Sequence, residues 1–251
     1  MLFTWSQKRQ LVFFSALLLI LILIAVALIY RFTPAPSCKD GKLNQDEEEI
    51  DCGGLCSPCQ SKIKEIVEHW TRFFPLSSGH YEAASLVENP NTTLGTSFLS
   101  YTIFFYDAKG ILIAEKTGRT FLNPGEKTLI YEKDIPTFER TPARAEIQLT
   151  PERWKKIERQ RPQILVTKRD FENDPFGRLN VTLTNQALFP IENLFLSAVL
   201  FDASGNAIGV STTRLERIEG ESDRDVFFTW RSPFLPIPSR IEILIRADLT
   251  K

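Results

Sequence analysis

Residues 11–30 read LVFFSALLLILILIAVALIY, twenty positions without a charge. As an α-helix this run rises to roughly 30 Å, the thickness of a bilayer's hydrocarbon core. A helix apolar on every face needs lipid or the centre of a large core around it. In a chain of 251 residues, with the run this near its start, lipid is the expectation. Lys8 and Arg9 precede the run and Arg31 closes it. The run is longer than the apolar region of a cleaved signal peptide, and prolines flank the small residues at Thr33-Pro34-Ala35-Pro36-Ser37, which makes a poor cleavage site. An uncleaved signal-anchor follows, with a leader over 1–10 and a transmembrane helix over 11–31. Basic residues are nearly balanced across it, Lys8 and Arg9 against Arg31, Lys39 and Lys42. The short basic leader favours a cytoplasmic N-terminus. The expected localisation is the cell membrane, single-pass, with the remaining residues outside.

All four cysteines fall between Cys38 and Cys59. An even number beside a membrane anchor, in a segment too polar to build a core, reads as two disulfides. Cys38, Cys52, Cys56 and Cys59 allow three pairings. The same segment (32–60) is rich in oxygen-bearing side chains, and Asp40, Asn44, Asp46, Glu47 and Asp51 are candidate ligands for Ca²⁺. Their spacing does not follow the EF-hand alternation. No other cofactor is implied. A four-cysteine zinc site would need a reducing compartment, against the expected topology.

The remaining chain carries an internal repeat. Tyr106-Asp107-Ala108-Lys109-Gly110 matches Phe201-Asp202-Ala203-Ser204-Gly205 at an offset of 95, and Gly125-Glu126 matches Gly220-Glu221 at the same offset. One residue later, Pro142-x-Arg144-x-Glu146-Ile147 matches Pro238-x-Arg240-x-Glu242-Ile243. A period this long indicates duplicated domains rather than a solenoid. Each copy alternates β-forming runs with turns: Phe98 to Tyr106 before Asp107–Gly110, and Leu194 to Phe201 before Asp202–Asn206. The expected fold is an all-β ectodomain, with two tandem immunoglobulin-like β-sandwiches over 61–150 and 163–251. Between them, over 151–162, the Thr150 cap and Pro151 predict a short helix that spaces the domains. Ile63 to Phe74 has ambiguous periodicity and is read as strand from about Glu65.

Two resemblances attach to these motifs. Cys38, Asp40, Gly41, Asn44, Glu47, Asp51, Cys52, Gly53, Gly54, Cys56 and Cys59 resemble a C-x-D-G-x-x-N-x-x-E…D-C-G-G-x-C-x-x-C motif of extracellular and envelope proteins. Phe104-Phe105-Tyr106-Asp107 and Val199-Leu200-Phe201-Asp202 look like the FxLYD-type sandwich of bacterial envelope proteins. Ile103 and Ala198 depart from that pattern at its first position. With Val87-Glu88-Asn89-Pro90-Asn91 and Phe228-Thr229-Trp230-Arg231-Ser232-Pro233-Phe234, the whole resembles single-pass proteins of candidate-phylum bacteria. That resemblance implies an address and a fold, without an activity.

Chemistry is sparse in the sequence. Thirty basic and 31 acidic side chains leave no excess for nucleic acid. His69 and His80 accompany no G-x-S-x-G, H-E-x-x-H or phosphate-cradling loop, and no small-molecule substrate is implied. Asp107 and Asp202 begin turns, where aspartate bonds the backbone ahead of it. Arg144 with Glu146, and Arg240 with Glu242, lie two apart on a strand and read as solvated pairs. The sequons at Asn91 and Asn180 are discounted on the bacterial resemblance. Trp230, Phe234, Leu235 and Ile237 lie in the richest apolar stretch of the second copy. They read as core plus a proline-blocked edge, or as a patch for a protein partner. The functional expectation is a non-catalytic envelope protein that binds or scaffolds a partner; the alternative is a Ca²⁺-dependent surface module with the ion in the Cys38–Cys59 loop.

Overall fold

The computed structural model describes residues 5–32 and 36–251. The first four residues of the leader, and Thr33, Pro34 and Ala35 of the weak cleavage site, lie outside the described residues. The chain divides into two compact units, Met1–Cys59 and Gln60–Lys251.

In the first unit, α1 (Trp5–Phe32) is a single unbroken helix. Its segment Trp5–Ile29 is long and apolar enough to cross a membrane, and none of it is covered by protein. The cysteine-rich segment that follows is joined by two disulfides, Cys38–Cys56 and Cys52–Cys59.

The second unit is all-β. Its first half holds β1 (Val67–Ser77), β2 (His80–Glu88), β3 (Leu94–Tyr106), β4 (Leu112–Leu122), β5 (Lys127–Pro136), β6 (Arg144–Pro151) and the two-residue β7 (Lys155–Lys156). Its second half holds β8 (Ile164–Glu172), β9 (Arg178–Asn185), β10 (Ile191–Phe201), β11 (Ala207–Ile218), β12 (Asp223–Thr229) and β13 (Arg240–Arg246). The pairings are antiparallel throughout these strands. Strand orders are β1-β2-β5 and β4-β3-β6 in the first half, and β8-β9-β12 and β11-β10-β13 in the second. Each pair of sheets closes over a core. Ala83, Val87, Leu99, Ile103, Phe105 and Ile130 fill the first, and Leu179, Val181, Leu183, Leu194, Leu196 and Phe228 the second.

A third apolar cluster decides how the halves combine. Ala84, Leu86 and Leu129, on the outer face of β1-β2-β5, meet Val199, Phe201, Ala207 and Val210 on the outer face of β11-β10-β13. The unit is therefore four sheets deep, and its two middle sheets are covered on both sides. That accounts for the unbroken burial of residues 83–87 and 196–201, since a strand covered on both faces loses its polar alternation.

The expected helix at 150–159 is not formed. Thr150 and Pro151 belong to β6, and Lys155–Lys156 pair as β7 with Leu94 and Gly95. The main-chain N–H groups of Glu152 and Ile157 donate to the carbonyls of Phe98 and Thr93, at 3.0 and 2.9 Å. Trp154 packs onto the first core. Main-chain partners on β3 and a half-buried tryptophan outweigh the local capping signal. The segment hugs the first sandwich rather than holding the halves apart.

Candidate functional site

The turns place the site. In both halves the aspartate after the third strand accepts main-chain N–H bonds. Asp107 Oδ1 accepts from Lys109 and Ile111, both at 2.9 Å, and Asp202 Oδ1 accepts from Ser204 at 2.9 Å and Asn206 at 2.8 Å. These bonds, the Asn206 N–H first among them, hold the Asp202 carboxyl below its ordinary pKa. Asn206 also bridges the halves, its Oδ1 accepting from Arg72 Nη2 at 2.8 Å. Arg144 and Arg240 lie over the rings of Tyr106 and Phe201, at 4.7 and 3.8 Å, and each pairs with the glutamate two residues on.

At the end of the unit carrying the β1–β2 hairpin, the halves part into a cleft of about 960 Å³. The first half contributes Phe74, His80, Tyr131 and Lys133, and the second Phe176, Val210, Trp230 and Arg231. His80 Nδ1 lies 2.6 Å from Asp134 Oδ1, both largely exposed. Burial pushes the Tyr131 hydroxyl well above its usual range, and a hydrogen bond to Glu82 adds to it. The hydroxyl is therefore a donor at any physiological pH. Lys133 Nζ stands 5.3 Å from the Tyr131 ring centroid. No hydroxyl or thiol hydrogen-bonds the His80 ring among the described residues, so the Asp134–His80 couple has no nucleophile in place. What the cleft offers is a mixture of aromatic faces, one tyrosine donor and charges of both signs.

The residues singled out in FTWRSPFLPIP separate into two roles. Trp230 Nε1 donates to the Val210 carbonyl at 3.0 Å, and its ring packs edge-on against Phe171 and Phe234. Phe234 lies over two glycines. A Cβ at Gly209 would sit 2.5 Å from its ring, and one at Gly177 2.9 Å. Asn173 ties it down through the Phe234 N–H and carbonyl, at 2.8 and 3.0 Å. Trp230 and Phe234 thus brace the wall of the cleft. Leu235 and Ile237, held between Pro233, Pro236 and Pro238, project outward at 96% and 67% exposure. Phe138, on the β5–β6 connection next to Gly79, is also exposed at this end. Nothing in the sequence joins His80, Tyr131 and Arg231 into one site, because segments far apart in the chain bring them to the cleft.

Of the candidate Ca²⁺ ligands, Asp40, Glu47 and Asp51 accept hydrogen bonds within the loop, while the buried Asn44 Oδ1 has no hydrogen-bond partner among the described residues. Asp40 accepts from Asn44 Nδ2 at 2.9 Å and from the N–H groups of Ser37 and Lys42, and these bonds, Asn44 first, hold its pKa down. Both Asp51 oxygens accept from the Gly41 N–H at 3.1 Å, and Glu47 Oε2 accepts from Asn44 and Asp51. Asp46 has φ of 61° in the tight turn between these residues. The carboxylates fold the loop by capping its main chain. Where His, Cys, Asp or Glu ligand atoms do cluster among the described residues, the groups include disulfide-bonded cysteines: Cys38 and Cys56 with Glu47, or Cys52 and Cys59 with Glu49.

No known protein family matches the chain, and no curated protein matches it. Among solved structures, red sea bream transglutaminase is similar at a TM-score of 0.22 and 8% identity, over 76% of this chain and 30% of that one. A likeness that small carries no argument about fold or activity.

Proposed function

We propose that the protein is a signal-anchored, single-pass component of a bacterial cell envelope, with its N-terminus in the cytoplasm. Its outer portion binds or scaffolds a protein partner without catalysing a reaction. The observation that carries this reading is the rim of the cleft, where Leu235 and Ile237 stand in solvent on a proline-stiffened segment that Phe234 pins to the wall. Preorganised apolar side chains lose little entropy on docking, and a mixed-charge cleft beside them supplies specificity. The two sandwiches are read as a duplicated envelope module, on their common strand order and the offset of 95 residues.

The test is crosslinking in native membranes with the full chain and with Leu235→Asp/Ile237→Asp. A specific adduct with the parent chain, reduced tenfold or more by the double variant at equal abundance, is the expected result. An adduct unchanged by the variant removes the rim as the site. Alkylation of Cys38, Cys52, Cys56 and Cys59 with and without reductant tests the topology. Thiols that react freely before reduction would invert it.

A further inference from the structure

The opposite end of the β-unit, where the chain joins it at residue 60, has a different character. Lys64 exchanges hydrogen bonds with Asn91 at this end, through its N–H and its carbonyl, both at 2.8 Å. The segment 151–163 runs across the same end. Ile157 bonds Thr93, Arg161 Nη2 donates to the Pro124 carbonyl at 2.7 Å, and Gln163 accepts from Gln186. Gln186 opens the β9–β10 connection, in which Leu188 and Phe189 are 82% and 66% exposed. This tip is rigidly held: Asn185 Nδ2 donates to the Phe189 carbonyl at 2.9 Å, and the Glu221 N–H to Ala187 at 2.9 Å.

The charge of the 151–163 segment is one-sided. Between 151 and 163 stand Arg153, Lys155, Lys156, Arg159 and Arg161 against Glu152 and Glu158, and all seven are exposed. Lys64 and Lys127 are also exposed at this end, with the exposed Glu65 beside Lys64. Lys156 is shared with Glu158 at 3.3 Å, and Lys155 donates to the Thr250 carbonyl. Beside the apolar tip, Glu192 and Glu219 are both bridged by Arg217, while Glu221 and Asp223 are further exposed acids there.

We propose that this end of the unit is a docking surface for anionic phospholipid, with Leu188 and Phe189 entering the interfacial layer and the 151–163 cations facing the headgroups. The inference rests on the membrane-anchored reading above. A basic surface gains roughly 1 kcal/mol per lysine or arginine held near an anionic leaflet, a fivefold effect on contact for each. Apolar side chains add their burial in the acyl boundary. The tether favours this end as well. About 28 residues separate Arg31 from Gln60, at most about 100 Å of extended chain, and the two disulfides shorten it. The bilayer is therefore a partner at high effective concentration.

The experiment uses the full chain in nanodiscs of phosphatidylcholine alone or mixed with phosphatidylglycerol. An environment-sensitive dye is placed on Phe189→Cys, and spin-labelled lipids serve as quenchers. Quenching is expected in the anionic discs, with a loss of tenfold or more when Arg153, Lys156 and Arg159 are changed to glutamate. A dye at Leu235→Cys, at the other end, is expected to stay unquenched. A Phe189→Cys dye that remains aqueous in both discs overturns the proposal, and so does quenching indifferent to lipid charge and to the three reversals. Failure of the anchored reading is distinguishable, because alkaline extraction would then release the whole chain from its membrane.

Discussion

The two sandwiches share a strand order and differ in which sheet turns inward. In the first, β2 is covered on both faces while β3 alternates; in the second, β10 is covered on both faces while β9 alternates. Residues at equivalent places follow suit. Val199 is 1% exposed in the seam, whereas Phe104, 95 residues earlier, lies half-buried on an outer face beside Tyr106. One topology thus accepts two opposite hydrophobic patterns, according to what covers each sheet. The lesson is that a strand's composition reports its neighbours as much as its place in the domain.

The widest separation is expected from one substitution made at both places. Val199→Lys puts an ammonium group into the dry seam, and a loss on the order of 4 kcal/mol or more is expected, with the halves parting or unfolding. Phe104→Lys leaves the charge in water and is expected to cost about 1 kcal/mol. Denaturant melts of the full chain in detergent measure both, and equal costs would mean that the halves do not pack through this seam.

The seam also has a polar margin. Arg246 Nη2 lies 3.1 Å from Glu126 Oε2 and donates to the Phe121 carbonyl, both side chains being more than nine-tenths covered. Glu126 in turn accepts from the Asn123 N–H and side-chain amide, at 3.0 Å each. Burial pulls the Arg246 pKa down and the Glu126 charge opposes that fall. Arg246→Ala strands the buried carboxylate and is expected to cost about 3–5 kcal/mol, while Arg246→Met, which keeps the bulk, is expected to cost less when paired with Glu126→Gln. Additive losses in that double variant would show the pair to be uncoupled.

The smallest effect is a pH dependence at the other margin. The folded state depresses the Asp202 pKa, so its contribution is complete above the ordinary carboxylate range and is lost as pH falls through the lower folded value. Between about pH 7 and pH 2 the melting temperature of the parent is expected to fall more than that of Asp202→Asn. Parallel curves would mean that the turn aspartate does not sense the fold.

Much of this was legible in the residues themselves. The uncharged run fixes α1 as a helix long and apolar enough to cross a membrane, because length and composition are local properties of the chain. The turn aspartates fix the β3–β4 and β10–β11 hairpins, because their bonds are local. The even cysteine count pointed to two disulfides, although the pairing needed coordinates. The 150–159 segment misled, since its capping signal is also local and its partners on β3 lie about fifty to sixty residues away. The Arg246–Glu126 pair and the cleft could not be read at all: each joins side chains from opposite halves, and neither has a spacing that repeats.

By itself, then, the sequence determined the membrane-length helix, the turns, the all-β character and the period of 95 residues. The first three rest on interactions within a few positions or on a pattern along one segment, and the period on motifs repeated in the chain itself. Only the tertiary structure decided that the sandwiches pack face to face, which sheet of each is inner, and that the capping-motif segment lies as strand against β3. Those outcomes depend on shape and burial between distant surfaces, and the chain records them only as the loss of alternation at residues 83–87 and 196–201.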